Sequence, residues 1–84
     1  GGISIAAAPG TPILAVSRGR VAFADWLRGF GLLVIIDHGE GWMSLYGYCE
    51  TLLVAERDWV EAGAQLGTVG TSGAPIEPAF HFQL

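Results

Sequence analysis

Two histidines, His38 and His81, one cysteine, Cys49, and four serines, Ser4, Ser17, Ser44 and Ser72, are the first residues to weigh for metal or nucleophilic chemistry. A catalytic zinc takes three protein ligands and keeps one position for water. His38 follows an apolar run and precedes a glycine, and so reads as a hydrogen-bonded structural histidine. His81 has Ala79, not a ligand, two residues before it, and on its own reads as a structural or contact residue. Cys49 has no CxxC partner and reads as a buried, inert thiol. No Gly-x-Ser-x-Gly elbow surrounds any serine, and adjacent Asp37 and His38 cannot both be aimed at one. Gly29-Phe30-Gly31 lacks the third glycine of a dinucleotide fingerprint and runs into a strand. Glu56, Asp58 and Glu61 are scattered through loop sequence and read as a solvated face. Tyr46 and Tyr48 are more suggestive. They line a recognition groove in one reading and pack beneath a loop in the other.

Thirteen glycines and four prolines cut the chain into short pieces that favour strands over helices. Strands are expected over Ile3–Ala7, Ile13–Val16, Gly19–Trp26, Leu32–Asp37, Trp42–Tyr48, Gln65–Val69 and Ala79–Leu84, with one helical turn allowed between Thr51 and Arg57. Leu32–Asp37 reads as a strand buried on both faces, and His38–Gly41 as the link of a hairpin. The pattern predicts an all-β fold, a mostly antiparallel sandwich or barrel. Alternation sets Met43 and Leu45 against Trp42, Ser44, Tyr46 and Tyr48, and Phe80 and Phe82 against Ala79, His81 and Gln83. If the apolar sets face one core, Ser4, Tyr46, Tyr48, Ala79 and His81 form an opposite, functional surface.

Composition narrows the partners. The chain has 84 residues, 51% of them apolar and 14% charged, which fits one folded domain and excludes disorder. Four arginines and no lysine against eight acids give a net charge of −4, so no footprint for nucleic acid exists. The longest apolar run, Leu32–Ile36, falls far short of the ~20 residues that span a bilayer, so the domain is not expected to be membrane-embedded. A single cysteine makes no internal disulfide. No signal-peptide pattern opens the chain, and its abrupt ends suggest a single domain, residues 1–84, forming the C-terminal fragment of a longer protein.

The order of motifs resembles the LytM or lysostaphin-type zinc metallopeptidase domain along nearly the whole chain. The matching anchors include Gly2-Ile3-Ser4-Ile5, Pro9-Gly10-Thr11-Pro12-Ile13, Gly19-Arg20-Val21 and Val34-Ile35-Ile36-Asp37-His38-Gly39. They continue through Ser44-Leu45-Tyr46-Gly47, Leu66-Gly67, Val69-Gly70, Ser72-Gly73 and Phe80-His81-Phe82. The resemblance implies a duplicated hybrid motif related to barrel-sandwich hybrids. It also implies a zinc site made by a His-x-x-x-Asp pair and the second histidine of a His-x-His, with a further histidine after the Tyr-Gly pair. Here the Asp position is Ser4, its histidine would precede Gly1, the His-x-His is Ala79-Phe80-His81, and the further histidine is Tyr48. Serine is a poor zinc ligand, alanine is none, and tyrosine replaces imidazole badly in proton transfer near neutrality. Neither catalysis, nor metal, nor any other cofactor is expected.

Among degenerate LytM domains the chain looks closest to the EnvC type of murein hydrolase activator, on Asp25-Trp26-Leu27 and Met43-Ser44-Leu45-Tyr46-Gly47-Tyr48. That resemblance implies a periplasmic protein of the bacterial cell envelope, working at the division septum. Its implied partner is an N-acetylmuramoyl-L-alanine amidase, held in a groove of Ser4, Tyr46, Tyr48, Ala79 and His81. A zinc-dependent peptidoglycan endopeptidase and a non-catalytic peptidoglycan-binding module are the alternatives, the latter with Tyr46, Tyr48 and Trp42 on the ligand. The resemblance to biotinyl and lipoyl carrier domains ends at the lysine such carriers modify, because this chain has no lysine.

Overall fold

A computed structural model describes residues 2–70 and 79–83, with the backbone alone described at the first and last strands of the chain. Between Val69 and Ala79 the sequence reads as a loop, Gly70–Pro78, of which residues 71–78 lie outside the described residues. Eight strands follow in order: β1 Gly2–Ala6, β2 Pro12–Leu14, β3 Gly19–Leu27, β4 Gly31–Gly39, β5 Trp42–Leu52, β6 Trp59–Val60, β7 Gln65–Val69 and β8 Ala79–Gln83. All described pairings are antiparallel, and the sheet runs β1-β8-β5-β4-β3-β6, with β7 joining β2 to the far end of β5. The fold is all-β, as expected. Where a helical turn was allowed, β5 instead runs on to Leu52 and turns carry the chain to β6. The β4–β5 hairpin closes through Glu40 and Gly41, both at positive φ, as right-handed strand twist favours in a two-residue turn.

The core joins Ile13, Ala15, Val21, Val34, Ile36, Tyr46, Cys49, Val60, Leu66 and Val69. Leu33, adjacent to Val34, is also completely buried but lies outside that cluster, so β4 is covered on both faces.

Two register shifts decide which side chains reach the core. In β3 the shift falls between Val21 and Phe23, and the residue at Ala22 is extra. Val21 and Ala24 therefore both face inward, although strict alternation sets them apart. In β5 the pair Gly47-Tyr48 opposes the single residue Leu33, because Leu32 pairs Cys49 and Val34 pairs Tyr46. Tyr46 and Cys49 consequently share the core side. Alternation read from the sequence had put Met43 and Leu45 on the core side of β5. The structure reverses this: Ser44 and Tyr46 are buried, and Met43 is exposed.

Candidate functional site

The register of β1, β8 and β5 builds the face on which the family resemblance places a site. Ser4 pairs His81, Ala6 pairs Ala79, and His81 pairs Gly47. Directly opposed residues share a face, so Ser4, Ala79, His81 and Gly47 lie on one side of this three-stranded segment. Tyr46 pairs Phe82, which pairs Ile3, and these occupy the other side. The side chains of Ser4, Ala79 and His81 lie outside the described residues.

The placement of Tyr46 beside His81 in a surface groove is therefore corrected. Its register partner is Phe82, and its side chain is 1% exposed. A buried phenol must find hydrogen-bond partners inside the protein, and this one does. Val16 N–H donates to the Tyr46 hydroxyl (3.1 Å), which lies 2.7 Å from Ser44 Oγ. Ser44 Oγ lies 2.6 Å from His38 Nε2, and His38 Nδ1 lies 2.8 Å from the Arg18 carbonyl. A carbonyl only accepts, so Nδ1 carries a proton toward Arg18. The His38–Ser44–Tyr46 relay pins the β2–β3 connection to the β4–β5 hairpin. His38, also stacked on Trp42 at 3.9 Å between ring centroids, has the structural role its sequence context suggested. The sequence reading missed the relay as a unit. The signal was His38 at the end of one hairpin strand with Ser44 and Tyr46, two apart, on the next.

Tyr48 sits differently. It is half-buried at the Gly47-Tyr48 bulge with φ of 60°, a left-handed conformation that a bulky residue adopts only under constraint. The constraint is visible at both ends of the residue. Its backbone N–H donates to the Phe30 carbonyl at 2.7 Å, and its hydroxyl donates to the Gly29 carbonyl at 3.0 Å. Both acceptors lie in the β3–β4 turn, next to Trp26 and Leu27 at the end of β3, which are 61% and 41% exposed. Bulges recur beside functional sites because they re-aim a side chain, and here the bulge turns Tyr48 toward the hairpin end.

Cys49, next along β5, is completely buried and donates to the Tyr46 carbonyl at 3.4 Å. Burial pushes its thiol up to about 11, and it is inert, as its sequence context suggested.

The donor set does not fit a catalytic zinc. Ser4 stands opposite His81 in the register, Ala79 brings no donor atom, and the Tyr48 hydroxyl already donates to a backbone carbonyl. No metal-dependent step is derived from these residues.

The model for peptidase family M23 matches residues 1–84. The chain belongs to peptidase family M23. Among curated relatives, the murein hydrolase activator EnvC of Escherichia coli (strain K12) is 45% identical over 83 residues, covering 99% of this chain and 20% of EnvC. The cell division protein DipM of Caulobacter vibrioides (strain NA1000 / CB15N) is 39% identical over 84 residues, covering 99% of this chain and 14% of DipM. The chain thus spans a fifth or less of these relatives. Among solved structures, the catalytic domain of the antimicrobial peptidase lysostaphin from Staphylococcus simulans superposes with a TM-score of 0.91 at 28% identity, covering 98% of this chain and 63% of that one. The M23 frame is therefore kept along the chain, while the residues on its site face depart from the zinc-ligand pattern that the LytM resemblance implies. Relatives named for hydrolase activation and cell division support a role in the bacterial cell wall.

Proposed function

We propose that this M23 domain is a non-catalytic activator that binds periplasmic N-acetylmuramoyl-L-alanine amidases during septal peptidoglycan splitting. The observation that carries the reading is Tyr48. At the position where the resemblance calls for a histidine, a tyrosine is held in a left-handed bulge and tied through Gly29 and Phe30 to a turn beside exposed Trp26 and Leu27. An aromatic ring fixed beside an apolar hairpin end suits the holding of a polypeptide, where rigid aromatic anchors carry much of the binding energy. In this reading the partner surface also takes in Ser4, Ala79 and His81, which the register sets on the same side of β1 and β8 as Gly47, the neighbour of Tyr48. The names of the EnvC and DipM relatives support the same reading.

Activation requires differential binding. The domain must hold an open form of the amidase more tightly than an occluded one, since equal affinity for both would shift nothing. The test is release of dye from labelled sacculi by an amidase of the same organism, with and without the domain. Tyr48→Ala is expected to lower the stimulation at least about tenfold, the effect of an anchor worth about 1.4 kcal/mol or more. Tyr46→Phe, altered inside the core, should still stimulate. Full stimulation by Tyr48→Ala would remove Tyr48 from the interface.

A further inference from the structure

Among the described residues the sheet ends at the two residues of β6, at the opposite end of β3 from Trp26 and about 20 Å from it at the rise of an extended strand. β6 sets Trp59 opposite Arg20 and Val60 opposite Gly19. One step further along, Val21 N–H donates to the Asp58 carbonyl and Arg57 N–H to the Val21 carbonyl, both at 2.8 Å. Bonded and non-bonded positions alternate along an antiparallel ladder. Arg20 and Trp59 therefore occupy a non-bonded position, and the Trp59 N–H and carbonyl point away from β3, out of the sheet edge. Such an edge is a template for another strand, and proteins commonly blunt it with lysine or proline. This chain has no lysine, and the residue at the edge is a tryptophan, 61% exposed. Its ring is held in place on its own face, with the guanidinium carbons of Arg18 and Arg20 at 5.0 Å and 5.8 Å from the ring centre.

We infer that the β6 edge is a contact between two copies of this chain, paired antiparallel about a two-fold axis at Trp59. The charges beside Trp59 select that occupant. Arg57 stands two residues before it and Glu61 two residues after it, both exposed. Antiparallel pairing centred on Trp59 brings Arg57 of each copy opposite Glu61 of the other. Among the described residues the one ion pair is Arg18 with Glu61 at 3.1 Å, so among them Arg57 lacks a carboxylate partner. A carboxylate accepts at two oxygens, and Glu61 can keep Arg18 while it takes Arg57 of the second copy. At the axis the two Trp59 residues exchange N–H to carbonyl bonds, and directly opposed residues share a face, so the two indoles lie side by side. A chain of net charge −4 repels its own copy at a distance, and the edge supplies the local opposite charge that such a contact needs. The two-fold closes on itself, so the pairing stops at two copies. The contact is small, which makes the dimer weak and dependent on concentration. It leaves the Tyr48 faces at the outer ends of the pair, and it holds whether or not those faces bind an amidase.

The test is sedimentation equilibrium of the chain from about 10 µM to about 1 mM, the range in which a contact of this size is populated, with amide NMR shifts recorded over the same series. The mass should rise toward twice that of one chain, and the concentration-dependent shifts should centre on Arg57, Trp59 and Glu61. Arg57→Glu, a surface change that sets like charges opposite each other, should weaken dimerisation at least about tenfold with the melting temperature of the dilute chain unchanged. The double variant Arg57→Glu with Glu61→Arg restores opposite charges across the axis and should recover the dimer. A chain that stays monomeric throughout the series would overturn the pairing. So would an Arg57→Glu variant that dimerises as the wild type does, a double variant that fails to recover, or shifts centred on the Trp26 end of the hairpin. Loss of amidase stimulation by Trp59→Ala in a chain that never dimerises would equally overturn it, because the edge would then be a contact for the amidase.

Discussion

At the scale of single residues, two neighbours on β5 divide the work. Tyr46 is a structural residue whose hydroxyl receives the Val16 N–H and bridges to Ser44 in a buried relay. Tyr46→Phe leaves that N–H and the Ser44 hydroxyl each short of a partner. It should lower unfolding stability by about 1–3 kcal/mol, read as a reduced midpoint in urea with an unchanged slope. Cys49 predicts a pH effect. Its folded-state value is raised from 9.0 to about 11 by burial, so the unfolded chain releases the thiol proton first as pH rises. Between those values the native state binds more protons, and this contribution to stability is complete below pH 9 and is lost through about pH 11. Urea midpoints measured across that interval should fall further for the wild type than for Cys49→Ala. Alkylation of Cys49 should likewise proceed only as fast as the protein opens. Of these features, the inertness of Cys49 and the structural role of His38 were legible from their sequence contexts. The burial of Tyr46 was not, because tyrosine is common both in cores and at surfaces and only its partners distinguish the two.

At the scale of strands, the glycine and proline punctuation and the apolar run from Leu32 to Ile36 were enough to place seven of the eight strands to within a few residues. Trp59–Val60 escaped because two residues carry no alternation. The face assignment of β5 failed ahead of its bulge, because the apolar Met43 and Leu45 read as the inward pair while Ser44 and Tyr46 are the buried ones. An extra residue at Ala22 and another at Gly47-Tyr48 invert the inside-outside pattern midway along β3 and β5, and no local sequence rule marks either position decisively. Ser44 and Tyr46 also look polar in sequence while facing inward, since the His38 relay satisfies them. Close strand packing yields its own prediction at Gly19. A methyl group there would come 2.5 Å from Ile36 Cγ2 and 2.7 Å from the Asp37 carbonyl, inside contact distance. Gly19→Ala should destabilise the fold by roughly 1–3 kcal/mol, as overpacking does, and thermal unfolding will show it. Because Gly19 also pairs Val60, the same variant should expose β6 to faster amide exchange.

At the scale of the whole molecule, the M23 frame carries two candidate surfaces at opposite ends of one hairpin. One is built on Tyr48 and the strands that hold Ser4, Ala79 and His81, and the other on Trp59 and Arg20. The β3–β4 hairpin joins them through pairing from Arg20↔Asp37 to Leu27↔Gly31, interrupted by the bulge at Ala22. The measurement that bears most directly on the account is dye release from labelled sacculi by the domain alone, supplemented with zinc, compared with release by a same-organism amidase with the domain added. The account predicts no cross-link cleavage by the domain alone and a several-fold rise in amidase-dependent release when it is present. Zinc-dependent cleavage by the domain alone, at one metal per chain, would contradict it.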